Sequence, residues 1–216
     1  MKNPEGAEVV SSLLATDPSA PALVATSLLP ELPYLASHPH GSGVVCDLFA
    51  ACRRCSESTN AMTRRLQGSL LRLTKDRWGC RVMQSALEDA SSEFQQALAH
   101  ELQGKALKLC QHLHANFVLQ KYVELLPASA STFLLEELIP DVALHVYGCR
   151  VLQRLIEHCS QEPALAVLVD SLIGNITRLE KLLKDPFGST WAAELSSLKT
   201  EATSCEQWWH TAVMHK

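Results

Sequence analysis

The sequence of 216 residues is informative first for what it lacks. No apolar run approaches the 18 residues that a membrane-spanning helix needs, so no membrane partner is expected. The opening MKNPEGAEVV has no hydrophobic stretch of the kind found in secretory signals. Lys and Arg number 19 against 23 Asp and Glu, a net charge of −4, which predicts no general attraction to a polyanion. Any nucleic-acid contact must therefore come from a few well-placed side chains.

Sequence signatures of catalysis are missing as well. No Ser/His/Asp arrangement, no pair of carboxylates and no Gly-rich phosphate loop stands out. We therefore predict no enzyme and no cofactor. The eight cysteines are scattered, and in an intracellular protein we expect reduced thiols packed as small apolar groups. They are Cys46, Cys52, Cys55, Cys80, Cys110, Cys149, Cys159 and Cys205.

Two short patterns resemble metal sites without meeting their requirements. CRRC at residues 52–55 has no second CxxC or His pair at zinc-finger spacing and no βαβ context for a redox site. Helical packing with two solvated arginines is expected there. The pairs His38/His40 and His112/His114 are two residues apart, so their side chains would point opposite ways on a helix. They are predicted to be loop or surface histidines, and no metal site is expected.

Helical periodicity dominates the chain. Apolar residues recur at three- and four-residue spacing in LLRLTKDRWGCRVMQSALEDA, FQQALAHELQGKALKLC and STFLLEELI. Alternation of β-branched residues over more than four positions is almost absent. Proline and glycine fall between the helical stretches, as in LLPELPY, LIPD and KDPFG. The predicted fold class is all-α.

An internal repeat organises these helices. Five blocks align by eye: HGSGVVCDLF, WGCRVMQSAL, HANFVLQKYV, YGCRVLQRLI and FGSTWAAELS. Their Gly or Ala positions are 41, 79, 115, 148 and 188, at intervals of 38, 36, 33 and 40 residues. Such a period predicts a stacked helical solenoid in which each unit buries its apolar face against its neighbours. The 33-residue interval predicts a shortened connecting helix after the third block.

Each central block predicts a core face and an opposite, polar face. In GCRVMQSALED the core face comprises Val82, Met83, Ala86 and Leu87, while Cys80 and Gln84 project together beside Arg81. The same layout recurs as Asn116, Phe117 and Gln120 and as Cys149, Arg150 and Gln153. Flat side chains interleaved with amides are what single-stranded bases need for stacking and edge contacts. Periodicity alone also fits a HEAT- or armadillo-like scaffold that binds protein.

These blocks resemble Pumilio (PUF) repeats. That family carries an aromatic-Gly-[Cys/Asn/Ser]-[Arg/Tyr/His]-Val-x-Gln run, which YGCRVLQRLIEHC and DRWGCRVMQSALE match closely. The resemblance is strong over residues 73–159 and weaker over 35–195. It implies a right-handed α-solenoid of stacked three-helix repeats, about five units with degenerate terminal ones. The implied division is 1–34 (N-terminal cap or partial repeat), 35–72 (degenerate repeat), 73–109, 110–142 and 143–180 (repeats), and 181–216 (degenerate repeat with a capping helix).

The resemblance also implies which residues contact RNA, one base per unit. Cys80 and Gln84 would read adenine with Arg81 stacking, and Cys149 and Gln153 would read adenine with Arg150 stacking. Asn116 and Gln120 would read uracil with Phe117 stacking. A Gln amide offers a donor and an acceptor together, and a second amide suits the two carbonyls and one N–H of uracil. Because the family binds RNA antiparallel to the repeat order, the implied core is 5′-AUA-3′.

The terminal blocks depart from this pattern. The first has Ser42, Gly43 and Cys46 and the last has Ser189, Thr190 and Ala193, so both lack the stacking group and the Gln. A Ser–Glu guanine reader at Ser189 and Glu194 is the weaker alternative, since Glu194 comes one residue late. Weak RNA contacts are expected from Ser42, Ser189, Lys121 and Arg154. EQWWH near the end predicts a capping helix, with a second stacking site as the alternative.

The expected partner is thus single-stranded mRNA, with protein co-regulators possible on the convex face. The implied function is post-transcriptional control of mRNA stability or translation through an A/U-containing 3′UTR element, with a cytoplasmic location. The alternative is a degenerate helical scaffold that binds protein, or binds nucleic acid without sequence preference in ribosome biogenesis, with a nucleolar location. The acidic balance favours the scaffold. Each of the three central blocks carries a complete set of one small polar residue, one flat side chain and one Gln, which we call a triplet, and these triplets favour sequence-selective RNA binding.

Overall fold

The computed structural model describes residues 3–53, 55–88 and 91–173, and every regular element in these ranges is helical. Short 3-10 turns cover Leu29–Glu31, Ala128–Ser131 and Pro140–Leu144. The predictions for the last block, Ser189, Glu194 and EQWWH, lie outside the described residues. The α-helices are α1 (Pro4–Thr16), α2 (Ala20–Leu28), α3 (Leu32–Leu35), α4 (Gly41–Ala51), α5 (Ser56–Leu66), α6 (Leu70–Lys75), α7 (Gly79–Leu87), α8 (Ser92–Leu102), α9 (Ala106–Cys110), α10 (Ala115–Leu125), α11 (Thr132–Glu137), α12 (Gly148–His158) and α13 (Pro163–Ile173).

The helices form an α-solenoid, as predicted. Helices α1, α4, α7, α10 and α12 pack side by side in chain order, and we call them the front layer. Helices α2, α5, α8, α11 and α13 lie behind them. A short helix or turn precedes each front helix from α4 onward. We therefore group the chain into unit I (α1, α2), unit II (α3–α5), unit III (α6–α8), unit IV (α9–α11) and unit V (the turn at Pro140–Leu144, α12 and α13).

The predicted core face of the repeated blocks is confirmed. In α7, Val82, Met83 and Ala86 are completely buried and Leu87 nearly so. The corresponding side chains of α4, α10 and α12 are buried in the same positions, and all of them except Val44 join one continuous core. Apolar burial between successive units therefore holds the stack together, which is the expected source of stability for a quasi-one-dimensional repeat.

Close approach to the preceding short helix explains why most front helices begin with glycine. A Cβ on Gly79 would lie 2.8 Å from the carbonyl oxygen of Leu73, and one on Gly41 would lie 2.8 Å from that of Leu35. Backbone atoms cannot rotate away as a side chain can, so these positions are tight. Unit IV carries Ala115 at this position, where its methyl group is completely buried.

A side chain three residues before each of these positions caps the front helix. Asp76 Oδ1 accepts hydrogen bonds from the N–H groups of Trp78 and Gly79 at 2.9 and 2.7 Å. His38, His112 and His145 do the same through Nδ1 in units II, IV and V. The histidine pairs noted in the sequence thus lie in turns, as predicted, and the first member of each pair satisfies otherwise unpaired backbone N–H groups.

A second repeated cap fixes the start of the short first helices. Gly68 and Gly104 adopt left-handed φ angles of 77° and 75°, which favour glycine. Glu101 accepts from the N–H groups of Gly68 and Leu71 at 2.7 and 3.0 Å. Glu137 does the same one unit later, accepting from Gly104 at 2.5 Å and from Ala106 at 2.8 Å. Helices α8 and α11 therefore each anchor the beginning of their own unit.

Two local expectations from the sequence can be compared with the structure. The shortened connecting helix is confirmed, since α11 has 6 residues whereas α5 and α8 have 11 each. Three residues of CRRC lie in the turn between α4 and α5, with Cys52 buried, Arg53 exposed and Cys55 half-buried, whereas Arg54 lies outside the described residues. The prediction of a solvated arginine is confirmed for Arg53, whose side chain is 52% exposed while its guanidinium forms an ion pair with Glu88 of the next unit.

The N-terminal helices extend the same stack. Helix α1 packs against α4 and α2 packs against α5, so they occupy front and back positions. The Ser11 hydroxyl donates to Asp47 Oδ2 at 2.6 Å across the α1–α4 contact. Among the described residues, no helix is long and apolar enough to cross a membrane, and no group of three or more potential metal ligands comes together.

Candidate nucleic-acid interface

Helix α7 presents the first complete triplet on the front layer. Arg81 is exposed and Gln84 is half-buried, whereas Cys80 is only 5% exposed. The Cys80 thiol donates to the carbonyl oxygen of Arg77 at 3.4 Å, and Gln84 Nε2 donates to the carbonyl oxygen of Cys80 at 3.1 Å. Burial raises the pKa of the Cys80 thiol, so it stays neutral at physiological pH. The α7 triplet therefore presents a neutral thiol, an amide and a planar cation.

Helix α10 presents the second triplet with a more polar first position. Asn116 Nδ2 donates to the carbonyl oxygens of His112 and Leu113 at 2.8 and 2.9 Å. Gln120 Nε2 donates to Asn116 Oδ1 at 3.0 Å, which fixes the two amides relative to each other. Phe117 remains 50% exposed although it is a large apolar side chain. An exposed ring beside two ordered amides can stack on a base while the amides meet its edge.

Helix α12 repeats the arrangement of α7. Cys149 is 2% exposed and its thiol donates to the carbonyl oxygen of Val146 at 3.5 Å. Arg150 is exposed and Gln153 is half-buried. The first residue of every triplet is thus turned back onto the preceding turn and is more buried than the sequence suggests. The three triplets occupy the same positions on α7, α10 and α12, which pack side by side.

The two cations expected to make weak contacts are engaged in ion pairs between units. Lys121 Nζ lies 3.6 Å from Glu88 of α7. Arg154 Nε lies 2.9 Å from Glu124 of α10, and its Nη1 lies 2.5 Å from Glu157 of its own helix. Sequence reasoning missed these partners. The signal was present, since Glu recurs nine residues after the start of α7, α10 and α12.

Helix α4 has the same place in the layer but a different surface. Ser42 is 2% exposed, and Gly43 is exposed with no atom within 4 Å of where a Cβ would stand. Cys46 occupies the position that Gln fills in the other units and is half-buried, and burial raises the pKa of its thiol. This front helix therefore offers neither a stacking side chain nor an amide.

Fold and surface together define a class of protein. The chain is an α-solenoid whose front layer carries one small polar group, one flat side chain and one amide per unit on three consecutive helices. Such a surface is modular, because each unit makes the same kind of contact and the residue types can vary from unit to unit. We find no catalytic constellation on it.

Comparison with known proteins places the chain within a family. The family described as Pumilio-family RNA binding repeat matches residues 69–103, 105–139 and 139–173. The chain belongs to the Pumilio repeat family. It is 26% identical over 173 residues to putative pumilio homolog 8, chloroplastic, of Arabidopsis thaliana, covering 77% of this chain and 33% of that protein. It is 33% identical over 101 residues to Pumilio homolog 1 of Xenopus laevis, covering 45% and 8%.

Solved structures agree on the fold. The Puf3 RNA binding domain bound to a Cox17 RNA 3′ UTR recognition sequence superposes with a TM-score of 0.78 at 25% identity, covering 88% of this chain and 55% of that one. The Puf4 RNA binding domain bound to an HO endonuclease RNA 3′ UTR recognition sequence gives a TM-score of 0.80 at 21% identity, covering 97% and 66%. The chain thus spans a third or less of these curated relatives and less than two thirds of the solved domains.

Proposed function

We propose that this protein binds single-stranded RNA with sequence selectivity. Helices α12, α10 and α7 read a 5′-AUA-3′ core in that order. The observation that carries the proposal is that three complete triplets occupy the same positions on three adjacent front helices. Family membership supports it, as do the RNA-bound Puf domains that share the fold.

The spacing of the front layer suits splayed bases. Packed helices lie about 8–10 Å apart, whereas bases stacked on one another in a strand rise about 3.4 Å. A base inserted between two flat side chains needs about twice the stacking distance, which the helix spacing supplies. Arg81, Phe117 and Arg150 are the exposed flat groups that would separate successive bases. Each base then leaves its neighbours and presents its Watson–Crick edge to one helix.

The amides supply the base-edge contacts. Each Gln side chain can offer a carbonyl oxygen and an N–H to a base, which complements either an adenine or a uracil edge. The first residue of the triplet distinguishes the two. Asn116 adds a second ordered amide, suited to uracil, whereas Cys80 and Cys149 add only a weakly polar thiol. Units III and V therefore favour adenine and unit IV favours uracil.

The biological role proposed from this binding is control of mRNA stability or translation in the cytoplasm, with protein co-regulators on the back helices. Ser42 and Ser189 are proposed as weak contacts, together with Lys121 and Arg154 beside their ion pairs. Each of the three triplets would contribute about 1–3 kcal/mol of binding free energy through one stacked base. Because ordering the RNA and the side chains costs free energy, we expect a modest affinity. A second candidate is a nucleolar scaffold without sequence preference, which the net charge of −4 and the empty surface of α4 favour.

Fluorescence anisotropy with two short oligonucleotides tests the proposal. One contains UGUAUAUA and the other is a scramble of the same bases. We expect the first to bind at least about tenfold more tightly, because each triplet contributes an edge contact worth about 1 kcal/mol or more. Equal binding of both oligonucleotides would support the scaffold without sequence preference. Absence of binding to either oligonucleotide would contradict the proposal that the protein binds RNA.

A further inference from the structure

Positive charge is concentrated in one part of an otherwise acidic chain. Residues 53–81 contain eight Lys or Arg and two Asp or Glu, whereas the whole chain has a net charge of −4. Several of these cations are already occupied. Arg53 and Arg64 form ion pairs with the next unit. Arg65 donates to the carbonyl oxygen of Pro30, and Arg72 donates to that of Pro33 in α3. The charges and N–H donors of these four arginines therefore already have partners within the solenoid.

Three cations of unit III are not committed in this way. Lys75, Arg77 and Arg81 are exposed, and none of them has a carboxylate or hydrogen-bond acceptor partner among the described residues. The Arg77 guanidinium lies 5.0 Å over the ring of Trp78, which orients it without using its N–H groups. Asp76 is the acidic neighbour, and its Oδ1 accepts the two capping N–H groups of α7.

Lys75, Arg77 and Arg81 lie along the edge of the front-layer surface that carries the triplets. The Cys80 thiol contacts the carbonyl oxygen of Arg77, so Arg77 lies directly before the α7 triplet. Lys75 is the last residue of α6, which packs against α10. Its charge, after burial and His114, helps to lower the pKa of the His112 imidazole. The three cations therefore extend from the α7 triplet to the start of α10.

This cationic edge has no counterpart in the next two units. The residues that correspond to Arg77 are Leu113 in unit IV and Val146 in unit V, which are 51% and 43% exposed. The edge of the front layer thus changes from cationic to apolar between α7 and α10. A polyanion lying along this edge would be held at one end only.

We propose that Lys75 and Arg77 bind the RNA phosphates that flank the 3′ adenosine of the core, and so anchor one end of the strand on unit III. This rests on the proposed function, which places that adenosine on α7. A Lys ammonium acts as a point charge on phosphate oxygen, and a guanidinium can donate two parallel hydrogen bonds. Because each neutralised phosphate releases counterions, two such contacts steepen the salt dependence of binding.

The test combines a protein variant with a modified RNA. Lys75→Ala/Arg77→Ala in the full chain is titrated with AUA-containing oligonucleotides in which the linkages flanking either the 3′ or the 5′ adenosine are neutral methylphosphonates. For the unaltered protein we expect 3′ neutralisation to weaken binding about threefold to tenfold and 5′ neutralisation less than about twofold. In the double variant this 3′ penalty should disappear, and the log–log salt slope should become shallower by about 1.4, because each phosphate contact on a single strand contributes about 0.7.

Matched variants separate this edge from general charge and from folding. Lys105→Ala/Lys108→Ala removes two exposed cations of unit IV and should leave both the 3′ penalty and the salt slope unchanged. Lys75→Arg/Arg77→Lys keeps the charge and should retain both effects. Equal penalties at the two adenosines, or a 3′ penalty that persists in the double variant, would overturn the proposal.

Failure of base reading would be recognised separately. In that case the unaltered protein would bind the AUA and scrambled oligonucleotides equally. The phosphate contact is then judged by the salt slope on the scrambled RNA, where only Lys75→Ala/Arg77→Ala should reduce it. If both double variants reduce the slope equally, the cationic edge is not a distinct site.

Discussion

Units II and III share a fold but present different surfaces. Helices α4 and α7 both start with a glycine packed against the preceding short helix, and both are capped by a side chain three residues earlier. Both bury the same four core positions. On the exposed face, however, Arg81 and Gln84 of α7 are replaced by Gly43 and Cys46 in α4. The determinants of stacking between units and of ligand contact therefore lie on different faces, and one set can be absent while the other persists.

The largest effect on RNA affinity is expected at Phe117 of unit IV, which carries a complete triplet as unit III does and unit II does not. Phe117→Ala removes the only aromatic stacking group among the three triplets and should weaken AUA binding by about 1–3 kcal/mol, roughly fivefold to more than a hundredfold. Phe117→Arg, which copies units III and V, should keep most of the affinity. Anisotropy titrations measure both.

Val167→Ala is the matched control for the phenylalanine variant. Val167 is 70% exposed on α13, away from the front layer, and its removal should leave RNA affinity unchanged. If Phe117→Ala and Val167→Ala bind RNA equally well, α10 does not stack on a base and unit IV is no different in function from unit II.

Two glycines of units II and III should respond in opposite directions to the same substitution. Gly79→Ala places a methyl group 2.8 Å from the Leu73 carbonyl oxygen and should destabilise the fold by about 1–3 kcal/mol. Gly43→Ala meets open space within a helix and should stabilise it by about 0.5–1 kcal/mol. Urea denaturation measures both variants. A stabilised Gly79→Ala protein would show that the close approach is not a constraint.

Placing a complete triplet on α4 should enable unit II to bind one additional base. Ser42→Cys/Gly43→Arg/Cys46→Gln copies the α7 triplet onto the same backbone. One additional stacked base should improve affinity about tenfold for an RNA extended by adenosine at the 3′ end of the core. The same variant should bind an RNA that ends at the core no better than before. Failure to distinguish these two RNAs would mean that α4 lies out of register with α7.

The smallest expected difference lies in the caps of α7 and α10. His112 Nδ1 accepts two N–H groups, so it caps only while unprotonated on that atom, and burial together with His114 and Lys75 lowers its pKa. Below about pH 6.5 the unfolded chain takes up a proton that the folded chain resists, so stability falls as the pH drops from there toward the lowered folded pKa. His112→Asp, which copies Asp76, should reduce this loss.

Thermal unfolding at pH 7.5 and 5.5 measures the difference between the caps. The reverse exchange, Asp76→His, should add a further loss of stability at pH 5.5. If the melting temperature of His112→Asp falls between the two pH values as much as that of the unaltered protein, protonation of this cap does not contribute.

The sequence predicted the periodic features of the fold well. Positions such as Val82 and Leu155 recur with helical spacing, and burial in the structure follows directly from that spacing. The shortened α11 could be predicted because interval length limits how many residues a connecting helix can hold. The helical class, the solenoid and the family followed from these regularities together with the Gly-Cys-Arg-Val-x-Gln blocks.

Features that depend on contacts between units were not predictable in the same way. The Arg53–Glu88 ion pair joins residues 35 positions apart in different units, and no local spacing announces it. The turning of Cys80 and Asn116 onto backbone carbonyls depends on the geometry of the preceding turn. The capping role of His112 was hidden because a histidine is an unusual helix cap, although its recurrence at His38 and His145 was a usable signal.

The central claim is that each front helix of units III to V specifies one base, and Asn116 and Gln120 test it most directly. Asn116→Ser/Gln120→Glu replaces the two amides of unit IV by a hydroxyl and a carboxylate, which accept the N–H groups of guanine. Anisotropy against AUA- and AGA-containing oligonucleotides, with Cys149→Ser/Gln153→Glu as the position control, is the measurement. We expect the unit IV variant to prefer G over U at the middle base alone. Unchanged preference for U, or loss of preference at all three positions, would contradict the account.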